Sequence, residues 1–375
     1  MNKFLSISIT LLAILALAGC SDENDPSRID PSDTVELGVS VGVSLTKSAI
    51  QGGSNAQDGA GSNVMQNVAI RATGNDYTSA KSNDKAIYTQ SSGKWTREGT
   101  TDKIKLTSNT ATIYAFHPAY PYDGNGNKES TAIAVSGTVG TNATIPVSVF
   151  EGGGGSSGSP STQKVNSTII DADNSSNGTI LSAPGETDYL WEGSSTKPTA
   201  SNGKANAGID EKVDLNMKHA LSMVSFRIYN DGTYKNAGKL TKIKLDNSSG
   251  TTLNKGTSAT MNIQDGTVAI SGSVGAVFTR FIGTSGVTIG NSETGAHRYS
   301  ILVFPETGTS AKSTVQVTFT IDGADYKVSL PTDVIQWKAG ENYLYTAKLS
   351  GKELSIQSVK VAAWDAKTGG NITVN

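Results

Sequence analysis

The sequence predicts an all-β protein made of two β-sandwich domains in tandem. Charged residues are only 17% of the 375 residues and glycine accounts for 41, a composition that favours strands and turns over salt-bridged helices. Short apolar segments recur with turn residues between them, and no long segment has the 3.6-residue period of a helix. No repeat of fixed length is present, which disfavours solenoids and propellers.

The first 20 residues have the pattern of a lipoprotein signal peptide. A single cation, Lys3, precedes an apolar run that ends at Leu17, and Ala18 and Gly19 follow it directly before Cys20. Such a run is too short for a membrane span, and small residues suit a signal peptidase. We therefore predict that residues 1–19 are removed. A structural, buried Cys20 is the competing interpretation, and it requires a core partner and no processing.

Cys20 is the only cysteine in the sequence, so no disulfide within the chain is expected. Lipidation of Cys20, with palmitate among the acyl chains, would hold the mature protein on outer-membrane lipid. Each buried CH₂ of such a chain contributes about 0.8 kcal/mol, so several chains make attachment effectively permanent. Cys20 is thus the predicted lipidation site.

Residues 20–33 are predicted to be a disordered acidic tether. Three carboxylates fall within four positions directly after Ser21, at Asp22, Glu23 and Asp25. This pattern resembles the export signal of Bacteroidetes surface lipoproteins, which implies exposure on the outside of the cell outer membrane. A solvated linker has the same composition, so retention on the periplasmic side stays open as the alternative.

The clearest strand of the sequence follows the tether. Apolar residues alternate with polar residues or glycine over positions 35–45, and the apolar set is Val35, Leu37, Val39, Val41, Val43 and Leu45. Full burial of six such side chains stabilises a fold by at most about 9–18 kcal/mol. We expect this strand to fill a groove from which it can be exchanged as a unit. Residues 48–63 lose the alternation and are expected to be a flexible connection.

The N-terminal domain is predicted to span residues 34–205. Its other strands are expected at 68–70, 86–88, 104–106 and 111–116, the last ended by Pro118 and Pro121. Most of residues 124–165 has little apolar content, so we expect mobile Gly/Ser-rich insertions there.

The C-terminal domain is predicted to span residues 206–375. Residues 315–321 and 326–330 alternate on either side of Asp322-Gly323, which predicts a β-hairpin. After Gly351 the alternation changes parity at Gln357-Ser358, which indicates a β-bulge. Further strands are expected at 213–217, 223–229, 240–245, 260–263, 268–270, 299–304, 343–349 and 354–363.

Several of these segments together resemble the fimbrillin family of Bacteroidetes surface pili. They are the lipobox with its acidic tether, the strand at 35–45 and the sequences at 112–120, 213–221, 337–343 and 361–364. The resemblance implies two transthyretin-like domains, a lipoprotein precursor, and assembly with other fimbrial subunits into a fimbrium.

The resemblance also implies trimming just past the first strand. Shaft subunits of the family are trimmed after an arginine, and the corresponding position here is Lys47. The nearest arginines are Arg28 and Arg71. Lys47 is therefore the possible processing site. The segment from Leu354 to Asn375 is the expected donor strand, because a chain end is freed with few contacts.

The sequence offers no catalytic or cofactor motif, and we expect no enzyme, no metal site and no cofactor. A net charge of −2 gives no basic field for nucleic acid. The three histidines are widely separated, and His219 is expected to be structural. Residues 171–178 partly match a calcium loop, but Ser182 stands where the bidentate glutamate belongs. A solvated turn is favoured there.

Two functions from different classes fit the sequence. The first is a structural or adhesive subunit of a cell-surface fimbria, assembled by donor-strand exchange, whose host or bacterial ligand the sequence does not specify. The alternative is a surface glycan-binding lipoprotein of a nutrient-uptake system, with Tyr120, Tyr122 and Trp191 as stacking surfaces. For the tyrosines, a core or loop-anchoring role is favoured over sugar stacking. A hydrolase ranks third, since no Ser-His-Asp set can be nominated.

Overall fold

The computed structural model describes residues 34–43, 65–91, 94–122, 128–152, 186–202, 211–282, 286–306, 315–330, 336–351, 353–363 and 370–373. Over these ranges the chain forms strands and short 3₁₀ turns, the latter at Ser79–Lys81 and Glu293–Gly295, and no α-helix. The predicted all-β class is confirmed. Within the same ranges, no helix has the length and apolar character needed to cross a membrane.

The strands are numbered in chain order. They are β1 (Val35–Glu36), β2 (Gly38–Val43), β3 (Asn67–Thr73), β4 (Lys85–Ser91), β5 (Lys94–Arg97), β6 (Lys105–Leu106), β7 (Ala111–His117), β8 (Thr144–Pro146), β9 (Leu190–Glu192), β10 (Thr199–Ala200), β11 (Lys212–His219), β12 (Ser222–Asn230), β13 (Lys239–Asn247), β14 (Ser258–Asn262), β15 (Val268–Ser271), β16 (Val277–Phe281), β17 (Val287–Thr288), β18 (Arg298–Val303), β19 (Val315–Ile321), β20 (Ala324–Ser329), β21 (Glu341–Ser350), β22 (Glu353–Ala363) and β23 (Gly370–Thr373).

The N-terminal half is organised around one mixed sheet with the strand order β2-β11-β9-β7-β3-β4-β5, and β10 also pairs with β7. Strands β1 and β6 form a separate antiparallel ribbon. Leu106 of β6 and the neighbouring Ile104 share one buried core with Val68 and Ile70 of β3. The ribbon therefore packs against the sheet.

The C-terminal half is a sandwich of two sheets, β18-β12-β21-β22-β23 and β16-β13-β19-β20 with β17 beside β13. Aromatic side chains join the two sheets. Phe226 of β12 stacks on Tyr345 of β21 at a ring separation of 5.6 Å and meets Phe319 of β19 edge-on at 6.0 Å. The buried Trp337 donates an indole hydrogen bond to the Tyr345 hydroxyl at 3.0 Å. Both sheets thus contribute to one apolar core.

A third sheet, β15-β14-β8, links the two halves of the chain. Its β8 comes from the N-terminal half and pairs with β14, with Ile145 opposite Met261. Both side chains are fully buried. The expectation of a mobile insertion over 124–165 is therefore wrong for residues 128–152. The apolar residues of this stretch are few, but they find a partner strand more than 100 residues away in the sequence.

Two local predictions in the C-terminal half are confirmed. The hairpin is β19 and β20, and its turn residues Asp322 and Gly323 have positive φ angles of 50° and 81°, as a two-residue turn of this kind requires. The bulge lies at Gln357, because Thr346 is opposite Ser358 whereas Ala347 is opposite Ile356.

Strand β11 follows the predicted domain boundary of 205/206 but belongs to the N-terminal sheet. It pairs with β2 on one side and with β9 on the other. Strand β12, which starts only three residues after β11 ends, lies in the C-terminal sandwich. By sheet membership, the change from one half to the other falls between His219 and Ser222.

Candidate functional site

The predicted exchangeable strand is divided into two pieces that belong to different sheets. Val35 and Glu36 form β1 and lie opposite Leu106 and Lys105 of β6. After Leu37 the chain continues as β2, which runs parallel to β11 with Gly38 opposite Lys212 and Val43 opposite Met217. The segment 35–43 therefore leaves the ribbon and enters the main sheet at Leu37.

Among the residues that the structure describes, strand β2 is one of the two edge strands of the N-terminal sheet, with β11 as its neighbour. The Gly38 N–H donates to the Glu211 carbonyl at 2.9 Å, at the start of this pairing. An edge strand is held through one of its two sides only, so it can be withdrawn without breaking the order of the other strands. Its removal would leave β11 with an unpaired edge.

The side chains of the segment are buried to different degrees. Leu37 and Val39 are 1% and 8% exposed and belong to the N-terminal core, and Val41 packs against that core while half-buried. Val35 is half-buried in the ribbon. Val43 is the last residue of β2, while Leu45 and Lys47 lie outside the described residues, as do Cys20, Ser21, Asp22, Glu23 and Asp25.

Two side chains of neighbouring strands bind the start of the segment. The buried Tyr88 hydroxyl of β4 donates to the Leu37 carbonyl at 2.5 Å. Burial raises the pKa of Tyr88, so its hydroxyl stays protonated and able to donate. Arg97 of β5 forms an ion pair with Glu36, which raises the pKa of Arg97. These contacts gather at residues 36 and 37.

The predicted donor segment also contains an edge strand. Strand β23 is the last strand of its sheet and pairs with β22, with Ile372 opposite Val359 and Gly370 opposite Val361. The pairing covers four residues. The structure thus has a short edge strand in each half of the chain.

A second cluster, not predicted from the sequence, is formed by three buried carboxylates between residues 186 and 192. Glu186 pairs with Arg280 of β16, and Asp188 lies 2.7 Å from His219 of β11. Glu192 accepts hydrogen bonds from the N–H groups of Ser194 and Asn216. Each acid has its own partner, an arginine, a histidine or backbone N–H groups, so the cluster is a set of structural contacts between chain segments. The signal that could have revealed it is the position of three acids beside the apolar run Tyr189-Leu190-Trp191.

The histidines and candidate aromatic residues have partners within the chain. His117 is buried and donates from Nδ1 to the Asn67 carbonyl at 2.6 Å. Lys128 lies over the Tyr120 ring at 4.0 Å, and the Tyr122 hydroxyl accepts a hydrogen bond from Asn67. Lys197 covers Trp191 at 4.6 Å. These contacts favour anchoring roles for the three rings over sugar stacking.

No group of three or more potential ligands for a metal ion occurs in the part of the chain that the structure describes. The weak calcium-loop match at 171–178, with Ser182, falls outside that part.

The N-terminal half is a mixed sheet with its ribbon, the C-terminal half is a two-sheet sandwich, and an antiparallel sheet links them. This architecture, with an edge strand in each half, places the chain among tandem β-sandwich proteins. The profile of the Fimbrillin-like family matches residues 157–364, which is more than half of the sequence, and the chain belongs to that family. The predicted family is confirmed. No curated protein matches the sequence.

Solved structures share the fold across nearly the whole chain. A candidate cell adhesion protein from Bacteroides uniformis is 17% identical with a TM-score of 0.51, over 89% of this chain and 99% of that one. A similar candidate from Bacteroides ovatus is 16% identical with a TM-score of 0.52, over 88% and 98%. A fimbrial protein from Bacteroides vulgatus is 13% identical with a TM-score of 0.52, over 88% and 99%. At these identities the likeness concerns the fold.

Proposed function

We propose that this fimbrillin-like chain is exported as a lipoprotein through Cys20 and becomes a structural or adhesive subunit of a surface fimbria by donor-strand exchange. The observation that carries the proposal is the edge position of β2, which pairs with β11 along one side, while Val39 of β2 and the preceding Leu37 are buried in the core. Removal of such a strand opens both a row of backbone groups and an apolar groove.

The expected donor is the C-terminal segment that contains β23. Because β23 is an edge strand that pairs over four residues, it can separate from β22 without disturbing the strands behind it. Insertion of this segment beside β11 of a neighbouring copy would restore the missing pairing. The two surfaces involved are different, so the contact does not close on itself and builds a filament.

Processing at Lys47 would decide the place of the subunit in the fimbria. A chain trimmed there loses segment 35–43 and becomes a polymer subunit. An untrimmed chain keeps its own strand and its lipid, and it would then serve as an anchor or a cap. The lipid and the acidic tether support a location on the outer face of the outer membrane.

Three versions of the protein test the assembly step by size-exclusion chromatography and electron microscopy. The mature chain from Cys20 should stay monomeric, a chain that begins at Ser48 should polymerise, and the same chain without residues 370–375 should polymerise less. An excess of a synthetic peptide of residues 34–45 should block polymer growth, whereas a scrambled peptide should not. A folded Ser48 chain that stays monomeric would rule out donor-strand assembly.

A further inference from the structure

The backbone of Leu37 is held on both sides where the segment changes sheets. Its N–H donates to the Ile104 carbonyl at 3.0 Å, and its carbonyl accepts the Tyr88 hydroxyl at 2.5 Å. Its side chain is almost fully buried. Leu37 is thus bound through all three of its groups by elements that stay in place if the segment leaves.

The rest of the segment is held differently. From Gly38 onward, the described hydrogen bonds of the segment belong to its parallel pairing with β11 and to the Gly38 contact with Glu211. Val41 is half-buried, whereas Leu37 and Val39 are buried. Opening from the Val43 end therefore breaks only the pairing with β11 and withdraws Val39 before it reaches the three contacts of Leu37.

We propose that Tyr88, together with Arg97, is a lock that controls the release of segment 35–43 at residues 36 and 37. The inference rests on the proposed strand exchange and concerns its regulation. Tyr88 fixes the Leu37 carbonyl, and Arg97 adds an ion pair to Glu36 on the exposed side. Both residues remain in the sheet when the segment departs, so they act as positioning residues for the strand.

The consequence is that release occurs in two stages. Residues 38–43 separate from β11 first, and the strand leaves only when the Tyr88 hydrogen bond to Leu37 breaks. Loss of the Tyr88 hydroxyl would leave the Leu37 carbonyl without this hydrogen bond. Because an unsatisfied buried group is costly, one hydroxyl can contribute most of the free-energy barrier to release of the segment. The lock would keep a lipid-anchored, untrimmed subunit closed.

Hydrogen exchange measured by mass spectrometry on the mature full-length chain tests the lock. In Tyr88→Phe we expect the amide of Leu37, which donates to the Ile104 carbonyl, to exchange about tenfold faster, which corresponds to about 1.4 kcal/mol. The amides of residues 38–43 open before the lock and should change little. The amides of β3 and β7 should keep their wild-type rates. Arg97→Gln should accelerate the Leu37 amide by about two- to threefold, since an ion pair exposed to solvent contributes little.

Tyr114→Phe is the matched control, because it also removes one hydroxyl from a buried tyrosine of the same sheet. It should leave the exchange of the Leu37 amide unchanged. Equal acceleration of the whole sheet by Tyr88→Phe, or the same effect from Tyr114→Phe, would overturn the lock. The exchange test does not depend on polymer growth. If the exchange rates are as expected but the Ser48 chain does not polymerise, strand exchange is rejected and the lock is retained.

Discussion

Arg280 and Glu186 form a fully buried ion pair, with Arg280 Nη2 at 2.7 Å from Glu186 Oε1. The same guanidinium nitrogen donates to the Phe150 carbonyl at 3.1 Å, and the same carboxylate oxygen accepts the Leu302 N–H at 2.7 Å. Arg280 lies on β16 and Leu302 on β18, which are edge strands of the two C-terminal sheets. The ion pair therefore connects the edges of the two C-terminal sheets through Phe150 and Glu186, which come from the N-terminal half of the chain.

Arg280→Met should destabilise the protein by about 3–5 kcal/mol, because it leaves the Glu186 carboxylate buried without its cation. Urea unfolding followed by circular dichroism measures the loss. The mutation removes the hydrogen bond to Phe150 as well, so we expect the C-terminal sandwich to loosen at β16 first.

Two control variants separate a buried pair from a surface pair. Replacing both partners, as Arg280→Met with Glu186→Leu, should recover most of the loss since no buried charge remains. Lys85→Met removes an exposed pair with Asp102, at 3.3 Å, and should cost less than about 1 kcal/mol. A double variant as unstable as Arg280→Met alone would show that the buried charge is not the cause.

Gly266→Ala should destabilise the turn between β14 and β15 through a direct clash. Gly266 has a φ of 72°, and a Cβ built on it would lie 1.9 Å from Nε1 of Trp191. We expect a loss of about 2–4 kcal/mol, from strain of about 1–2 kcal/mol and displacement of the ring. Gly99→Ala is the matched control, because Gly99 has the same φ and open space around it. Thermal unfolding of the two variants should differ clearly, and equal losses would contradict the clash.

Sequence patterns predicted the structural features that depend on neighbouring residues, but they did not predict the strand pairings between residues that are distant in the chain. The Asp322-Gly323 hairpin was predictable because two positive φ angles are a local demand. The pairing of β8 with β14 was not, since Ile145 and Met261 are brought together only by the tertiary fold.

The candidate site shows the same division. Alternation predicted one strand over 35–45, whereas the structure describes two strands, at 35–36 and 38–43. Alternation cannot distinguish one sheet partner from another, so it could not predict the change of sheet at Leu37. Strand β16 was missed because its burial is the reverse of what hydropathy predicts. The charged Arg280 is fully buried, whereas the apolar Val277 is 42% exposed. A buried arginine is explained only by its partner Glu186, which lies 94 residues away in the sequence.

Stability should fall as the pH drops from about 7 to about 4 because of His117. The pKa of His117 is lowered from 6.5 to about 4. Burial is the largest cause and the nearby His219 acts in the same direction, while the hydrogen bond to the Asn67 carbonyl opposes both. The unfolded chain therefore binds a proton on this side chain before the folded chain does. The stabilisation is complete above pH 6.5 and is lost as the pH falls toward the folded pKa, by about 3 kcal/mol at pH 4.

Urea unfolding at several pH values checks this, with His117→Gln as the comparison. The variant cannot take up the proton, so its stability should change less over the interval between pH 6.5 and pH 4. Asp76 titrates at a lower pH than His117. Burial raises the pKa of its carboxyl, but hydrogen bonds from Lys81, Thr107 and Asn109 outweigh this effect and hold the pKa at about 2. Asp76 therefore adds little to the pH dependence of stability above pH 4. Parallel curves for wild type and His117→Gln would exclude His117 as the cause.

Cys20→Ala should abolish attachment to the membrane, since Cys20 is the only residue of the predicted mature chain that can carry the thioether-linked lipid. Palmitate labelling followed by membrane fractionation measures the loss. A triple variant, Asp22→Ala with Glu23→Ala and Asp25→Ala, is the matched control because it should keep the lipid and change only the address. Protease treatment of intact cells should digest wild type and spare the triple variant. Labelling that survives Cys20→Ala would refute the lipidation site, whereas equal digestion would show that the acidic tether carries no export signal.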